Sequence, residues 1–430
     1  MSIFLGEHHP YGRRAIDEPP IQMKALFIGA GATYDCGMPL VWELTAEIRR
    51  WLTPEKLVLF NENWKSQGGG WDHDVVSCLV SLLENKNLHY ENIIGAIEVE
   101  CSRERDQSKR QSYHAALGFV LQTVYGLLME RQVKNTRYAL AALDDFSSIK
   151  GMAENNKPLW VFSLNHDCIT EMLALKFGIP LKSGFNEEVS IPMKTANGSI
   201  HSFLFERLSR KSIEENQYDF FGHGEFGINL IKLHGSLDIF GQNDELSYLK
   251  IKAVENDPES LSSQIQLLNQ INQDIAVRDG VVCTNENIYE DEDGEIQFLR
   301  KSLLSGTHKF TKKLSQIAPS EFLSLFKGNL NYARELICVG YSFGDKHIDD
   351  QIADWLSFSA TRKLTIINPG INVCPEGMKH LSGQVECKPV GTADYFTQLS
   401  DKKPTVLKGM LRKARSLARE KIKRELTGNG

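Results

Sequence analysis

The stretch from Lys24 to Pro39, KALFIGAGATYDCGMP, constrains this chain most: an apolar run meets Gly29-Ala30-Gly31, and a proline closes the segment. Met23 to Ile28 has the length and composition of a buried strand, and the glycines break it where a parallel-sheet strand hands over to a helix. Glycines there let backbone N–H groups approach a phosphate closely, and a helix N-terminus adds unpaired donors and a favourable dipole. The common dinucleotide fingerprint asks for a third glycine at position 34, where this chain has Tyr34; its next glycine, Gly37, comes three residues later. Taken alone, an ordinary strand-to-helix turn explains the segment as well as a phosphate site does.

With 430 residues and 41% hydrophobic content the chain has enough apolar material for two or three domains, or for one heavily elaborated domain. The start, MSIFLGEHHPYGRR, has no apolar region behind a basic one, and no run of about 18 apolar residues follows anywhere, so secretion and membrane spanning are not expected. The eight cysteines are scattered without a C-x-x-C pair. They read as buried thiols of a reducing cytoplasm rather than as metal ligands or disulfides, and no metal is expected. A net charge of −6 argues against a whole-surface nucleic-acid binder. From Asp401 to Gly430, however, ten Lys/Arg stand against three Asp/Glu, so that tail carries +7 and the remainder −13.

Residues 1–22 contain Pro10, Gly12, Pro19 and Pro20 without periodicity and suggest an extended arm. A helix is expected over Val41 to Leu52, and the pattern from 55 to 157 is predominantly helical, which reads as a helical insertion. Inside it SQGGGW (66–71) is a loop, and His89 and His114 fit helix-surface or core positions better than ligand roles. Leu159 to Phe162 is a short buried strand ending in SLNHDC, which puts Ser163, Asn165 and Asp167 in the loop at its carboxyl end, ahead of a helix from Cys168 to Phe177. Helix capping by Asn165 or Asp167 is the alternative reading of that loop.

Residues 180–229 and 241–330 read as irregular insertions, apart from a helix at 259–277 and a turn at the acidic run EDEDGE (290–295), which lacks the alternating order of a calcium loop. Between them Leu230 to Leu233 forms a strand running into His234-Gly235-Ser236. Two further strands, Leu336 to Val339 and Leu364 to Ile367, end in GYSFGDKHIDDQI and in Asn368-Pro369. Five strands thus end in glycine or polar residues at what would be one edge of a single parallel sheet, the edge where open α/β sheets bind ligands. The segment Pro404 to Leu426 reads as a basic amphipathic helix that packs on its own fold, docks to a partner or another subunit, or touches a phosphate backbone.

In order and placement, GAG-x-x-x-x-x-G-x-P at 29–39, S-x-N-x-D at 163–167, L-H-G-S at 233–236, G-x-S at 340–342 and I-N at 367–368 resemble the sirtuin family. The resemblance implies an α/β architecture, the sirtuin variant of the Rossmann fold: a parallel sheet with helices on both faces over residues 23–54 and 158–400, here with the helical insertion at 55–157 and the basic tail at 401–430. It implies NAD+ as the bound nucleotide. Gly29, Ala30, Gly31 and Thr33 would surround the pyrophosphate, with Asn165 and Asp167 at the nicotinamide ribose and His234 as the base. Gly340 and Ser342 would line the phosphate and the adenosine ribose, Asn368 would reach that ribose, and Ser163 and Ser236 would belong to the same pocket. A deacetylase sirtuin carries four zinc-binding cysteines between its H-G and G-x-S motifs, where this chain has only Cys283 and, in the strand just before G-x-S, Cys338, and its G-[IV]-P-D-F-R loop becomes Gly37-Met38-Pro39-Leu40-Val41-Trp42. The 69 residues from Asn165 to His234 (234 − 165) also exceed a deacetylase spacing. With the helical insertion and G-Y-S-F-G-D-x-H-I-D at 340–349, the chain looks like the sirtuin-like NADases of prokaryotic antiviral defence, most like the type partnered with a HerA-like ATPase.

For such an enzyme the expected reaction is hydrolysis of NAD+ to nicotinamide and ADP-ribose. It passes through an oxocarbenium-like centre, so the site must hold the ribose and admit one water. Asn165 would bond the ribose or orient the water, Asp167 would orient Asn165 and favour positive charge, and His234, with the ordinary histidine pKa near ~6.5, would take the proton. A homo-oligomer is expected, with nucleic acid involved at most through a partner or the basic tail. The alternatives are a protein deacylase and a non-catalytic NAD or ADP-ribose sensor acting on a partner.

Overall fold

The computed structural model describes residues 23–281, 283, 285–303, 321–400 and 406–427. The expected N-terminal arm at 1–22 lies outside them. Alternating strands and helices open and close the described chain. Its strands, in order, are β1 (Lys24–Ile28), β2 (Leu159–Ser163), β3 (Leu181–Lys182), β4 (Glu187–Lys194), β5 (Ile200–Ser209), β6 (Ile228–Lys232) and β7 (Gly235–Gln242). There follow β8 (Ser247–Ile251), β9 (Glu286–Glu290), β10 (Ile296–Leu303), β11 (Glu335–Val339), β12 (Lys363–Ile367) and β13 (Val385–Lys388). The helices through the first half are α1 (Val41–Trp51), α2 (Pro54–Ser66), α3 (His73–Glu84), α4 (Tyr90–Arg103), α5 (Gln107–Ala142), α6 (Ile149–Asn155) and α7 (Ile169–Phe177). Those of the second half are α8 (Arg210–Glu214), α9 (Pro258–Asp279), α10 (Glu321–Asn329), α11 (Lys346–Ser357), α12 (Thr392–Leu399) and α13 (Val406–Thr427).

Seven strands form one sheet in the order β13-β12-β11-β1-β2-β6-β3, with every paired neighbour parallel. β2 and β6 are buried along their whole length, as the unbroken runs LWVFS and INLIK demand of strands covered on both faces. Separate apolar clusters occupy the two faces: Leu26, Val161, Leu230, Ile337 and Ile367 belong to one, and Phe27, Phe162, Ile231, Cys338 and Ile366 to the other. The chain works outward from β1 to β2 and β6, then returns to the other side of β1 through β11, so strand order reverses between β1 and β11. Ligands of open α/β sheets bind at such a reversal, beyond the carboxyl ends of the strands.

Much of the two stretches expected to be irregular is regular among the described residues; 304–320 lie outside them. Residues 187–209, 235–251 and 286–303 fold into a second, antiparallel sheet of six strands in the order β4-β5-β8-β7-β10-β9, on which α9 packs. Charged residues buried in these strands hid the pattern. Asp238, Lys250, Glu290 and Lys301 are all buried, so period-two alternation of apolar and polar residues no longer marks which face is inside. The acidic run does form a turn between β9 and β10, with Gly294 at φ 84°.

Lys301 is fully buried; its ammonium donates to Gln122 Oε1 at 2.9 Å and lies 4.7 Å from the centre of the Tyr125 ring. Burial lowers its pKa from 10.5 to about 7. As pH falls below 10.5 the unfolded chain takes up this proton before the folded one, so the associated stability is complete above pH 10.5 and is lost progressively down to about pH 7. Lys301→Met is therefore expected to raise stability at pH 7 by a few kcal/mol, on the order set by roughly 1.4 kcal/mol per pH unit of displacement, and to give no gain above pH 10.5. Urea denaturation of both proteins at neutral and alkaline pH checks this; a variant less stable at pH 7 contradicts it.

The C-terminal helix docks by its charged side. Arg419 donates to the carbonyls of Tyr34 (2.8 Å) and Met38 (2.7 Å), pairs with Glu43 and lies over the Tyr34 ring, while Arg412 bonds Asp394 at 2.9 Å and Arg415 covers Tyr138. Met410, Leu411, Leu417 and Ile422, at least half exposed, face outward. Own-fold packing thus uses the basic face rather than the apolar one, because the surface it meets offers carbonyls, carboxylates and aromatic rings.

Candidate active site

The β1 strand ends in Gly29, and residues Ala30–Cys36 form a tight 3-10 turn closed by Gly37 at φ 93°. This loop lies directly against the loop after β11. A Cβ on Gly29 would stand 2.7 Å from the Tyr341 Cα, and one on Gly31 would stand 2.8 Å from the Gly340 Cα. The glycines are thus required by the approach of two backbones. Their amides turn inward as well: Gly29 donates to the Val339 carbonyl at 3.0 Å and Gly31 to the Gly340 carbonyl at 2.9 Å. The expectation that both present N–H groups to a pyrophosphate meets a different arrangement, in which the loop spends those donors on holding the β1–β11 junction closed.

Thr33 also departs from its expected phosphate role. Its hydroxyl donates to Asp167 Oδ2 at 2.8 Å and accepts from the side-chain amide of Asn165 at 3.2 Å, with all three residues buried. A directed chain, Asn165 to Thr33 to Asp167, therefore joins the β1 loop to the β2 loop. Asp167 is linked to Asn165 through Thr33 rather than directly. The capping reading of the β2 loop holds in part, since Asp167 Oδ1 accepts from the Ile169 amide at the start of α7 at 3.1 Å. Burial pushes the Asp167 carboxyl above its ordinary value; Lys232 and the Thr33 hydroxyl pull the other way.

Ser163 and Ser236, expected in the same pocket, each bond to the β2 loop. Ser163 Oγ accepts from the Asn165 amide (3.1 Å), and Ser236 Oγ donates to the His166 carbonyl (3.2 Å). Both are fully buried. Lys232, unremarked in the sequence, is the main brace of the β2 loop. From the end of β6 its ammonium donates to the carbonyls of Asn165 (3.1 Å) and Asp167 and pairs with Glu171 at 3.5 Å. Glu171 in turn bonds Lys250 (2.9 Å), which also pairs with Asp238. Burial would lower the pKa of Lys232, but Glu171 and its other acidic neighbours outweigh this and hold it above the ordinary value.

His234 stands where the two sheets meet: β6 of the parallel sheet ends at Lys232 and β7 of the antiparallel sheet begins at Gly235. Gly235 has φ 75°, and any Cβ there would overlap the Ser302 carbonyl of β10, so only glycine permits the turn that aims the histidine. The His234 ring is buried, with its centre 6.3 Å from that of His166, and its Nε2 lies 3.3 Å from Asp345 Oδ2. His166 and Asp345 were missed as site residues. Asp345 belongs to the quoted G-Y-S-F-G-D run and stands just before α11.

Of the residues expected near the adenosine, Ser342 is exposed, while Asn368 uses its amide to donate to the Tyr341 carbonyl (2.9 Å) and its side-chain oxygen to accept from Gly370 (2.9 Å). Gly340, at φ 64°, is packed on Ala32 and Gly31. Ala30 sits half-buried at the start of the 3-10 turn. Among the described residues no group of three or more His, Cys, Asp or Glu side chains is placed to hold a metal ion, and no helix is long and apolar enough to cross a membrane.

Fold and site together define an open α/β protein with a buried amide–hydroxyl–carboxylate chain and an imidazole at the carboxyl ends of its central strands. No family model and no curated protein matches the sequence. Among solved structures, the chain is similar to a Sir2 homologue in complex with NAD, with a TM-score of 0.41 and 12% identity over 88% of this chain and 87% of that one. A structure titled for the basis of sirtuin substrate affinity aligns with a TM-score of 0.38 and 11% identity, covering 89% and 94%. A Sir2 homologue variant in complex with ADP-ribose aligns with a TM-score of 0.35 and 11% identity, covering 88% and 90%. At these values the likeness assigns neither a family nor an activity.

Proposed function

We propose that this chain is an NAD+ glycohydrolase, cleaving the nicotinamide–ribose bond to give nicotinamide and ADP-ribose. The observation that carries the reading is the Asn165–Thr33–Asp167 chain, tied by Lys232 to the strand that delivers His234. With its N–H committed to Thr33, the Asn165 amide is fixed in orientation and its oxygen is directed for a ribose hydroxyl or a water. His234 takes a proton from the water as its oxygen bonds to the electron-poor ribose carbon, and the electron pair of the breaking C–N bond leaves with nicotinamide. Carboxylates on both sides, Asp167 and Asp345, favour positive charge building between them. Nothing in this scheme needs an acyl-peptide groove.

By its sequence resemblance the enzyme would act in prokaryotic antiviral defence, in the cytoplasm, depleting NAD+ as an oligomer beside a HerA-like ATPase. Incubating the purified chain with NAD+, with and without such an ATPase, is expected to release nicotinamide and ADP-ribose in equal amounts. Release that depends on an acetyl-lysine peptide and yields O-acetyl-ADP-ribose would replace the reading with a deacylase; binding of NAD+ without turnover in any mixture would replace it with a sensor.

A further inference from the structure

We infer that Asp345 is the positioning residue of His234, holding the imidazole and stabilising its protonated form; for the reaction this rests on the glycohydrolase reading. Asp345 occupies the N-cap position of α11, where an aspartate ordinarily accepts a hydrogen bond from the first helical amides. Here its side chain makes no cap bond and stands with Oδ2 3.3 Å from His234 Nε2 instead. Both side chains are nearly buried, at 5% and 11% exposure, so their attraction is weakly screened. The loop that carries Asp345 is held for this placement. Gly340 and Phe343 have φ 64° and 56°, and the Tyr341 hydroxyl accepts from the Asp345 amide (3.2 Å) while bonding Asp349 Oδ1 (2.6 Å).

The loop after β11 therefore contributes to the chemistry and does more than line a nucleotide. His234 reaches the site from the junction of the two sheets and Asp345 from the far side of the β1–β11 reversal, so the pair spans the crevice. Asp345 and His166 are titratable groups whose side chains the structure places against His234. Asp349 lies behind Asp345 across the Tyr341 hydroxyl, and Lys232 and Asp167 are joined through the backbone of the β2 loop. When His234 accepts a proton, the carboxylate 3.3 Å away stabilises the imidazolium; no proton moves to Asp345.

The test uses full-length Asp345→Asn, which keeps the shape and removes the charge. Its kcat for NAD+ is expected to fall by about 10- to 100-fold with KM within about twofold. A carboxylate favours imidazolium, so its removal should move the acid limb of the kcat profile, and the NMR titration of the His234 ring, to lower pH by about one pH unit. Asp345→Glu should restore part of both. An unmoved His234 titration, or wild-type kcat in Asp345→Asn, overturns the inference. The NMR arm needs no turnover: a shifted titration in a protein that never cleaves NAD+ upholds the pair and refutes the glycohydrolase reading alone.

Discussion

His234→Ala is expected to lower NAD+ cleavage by about 100- to 10,000-fold, the loss typical of removing a positioned general base. The expected loss for Asn165→Ala is of similar size, and Asn165→Asp is the sharper variant. Thr33 already donates its one proton to Asp167, so it can only accept from residue 165. A carboxylate at 165 would face the oxygen of Thr33 with no proton between them, and the side chain would swing away. Size is conserved, yet the chain from Asn165 to Asp167 is broken. Nicotinamide release measures the loss, and calorimetric titration with ADP-ribose checks that the pocket still binds. Undiminished turnover by either alanine variant would remove these residues from the mechanism.

Lys232→Met is the second large effect, and it joins stability to the site. The buried set Lys232, Lys250, Glu171 and Asp238 is balanced in charge, and deleting one cation leaves an uncompensated carboxylate in the interior. Breaking a buried pair from one side costs about 3–5 kcal/mol. The folded pKa of Lys232 lies above the unfolded 10.5, so this contribution is complete at neutral pH and disappears only as pH rises past that range. Urea denaturation at pH 7 should show a midpoint well below that of the wild type, and NAD+ cleavage should fall beyond the unfolded fraction, because the Asn165 and Asp167 carbonyls lose their donor. An unchanged midpoint would mean that the network does not hold the loop.

Lys232 also shows why part of the site was hidden. In the run NLIKLHGS it passes unremarked within a short strand, yet it is 2% exposed, because Glu171 and two carbonyls converge on it from another loop and helix. His166 lies between Asn165 and Asp167 but gave no sign, since its neighbour His234 is 68 residues away (234 − 166). Asp345 lies inside the quoted G-Y-S-F-G-D run, but nothing local marks it as the neighbour of a histidine on another strand. The resemblance puts Thr33 beside the pyrophosphate; only the partner loop, more than a hundred residues on, shows that its hydroxyl donates to Asp167.

What the sequence determined by itself is local: five short apolar runs that become parallel strands and the polar or glycine residues that end them. Period and composition suffice there, because a strand covered on both faces has to be apolar throughout and its ending has to be otherwise. Tertiary structure alone decided the rest. The second sheet was concealed by buried charges whose partners lie on other strands and helices, and the basic face of the C-terminal helix was turned inward by carbonyls and rings it meets only after folding. The loop glycines serve a second backbone rather than open space, and the imidazole at the end of β6 gains its carboxylate from a loop 111 residues later (345 − 234). Each of these depends on groups distant in sequence arriving within hydrogen-bonding range, and no local pattern encodes such an arrival.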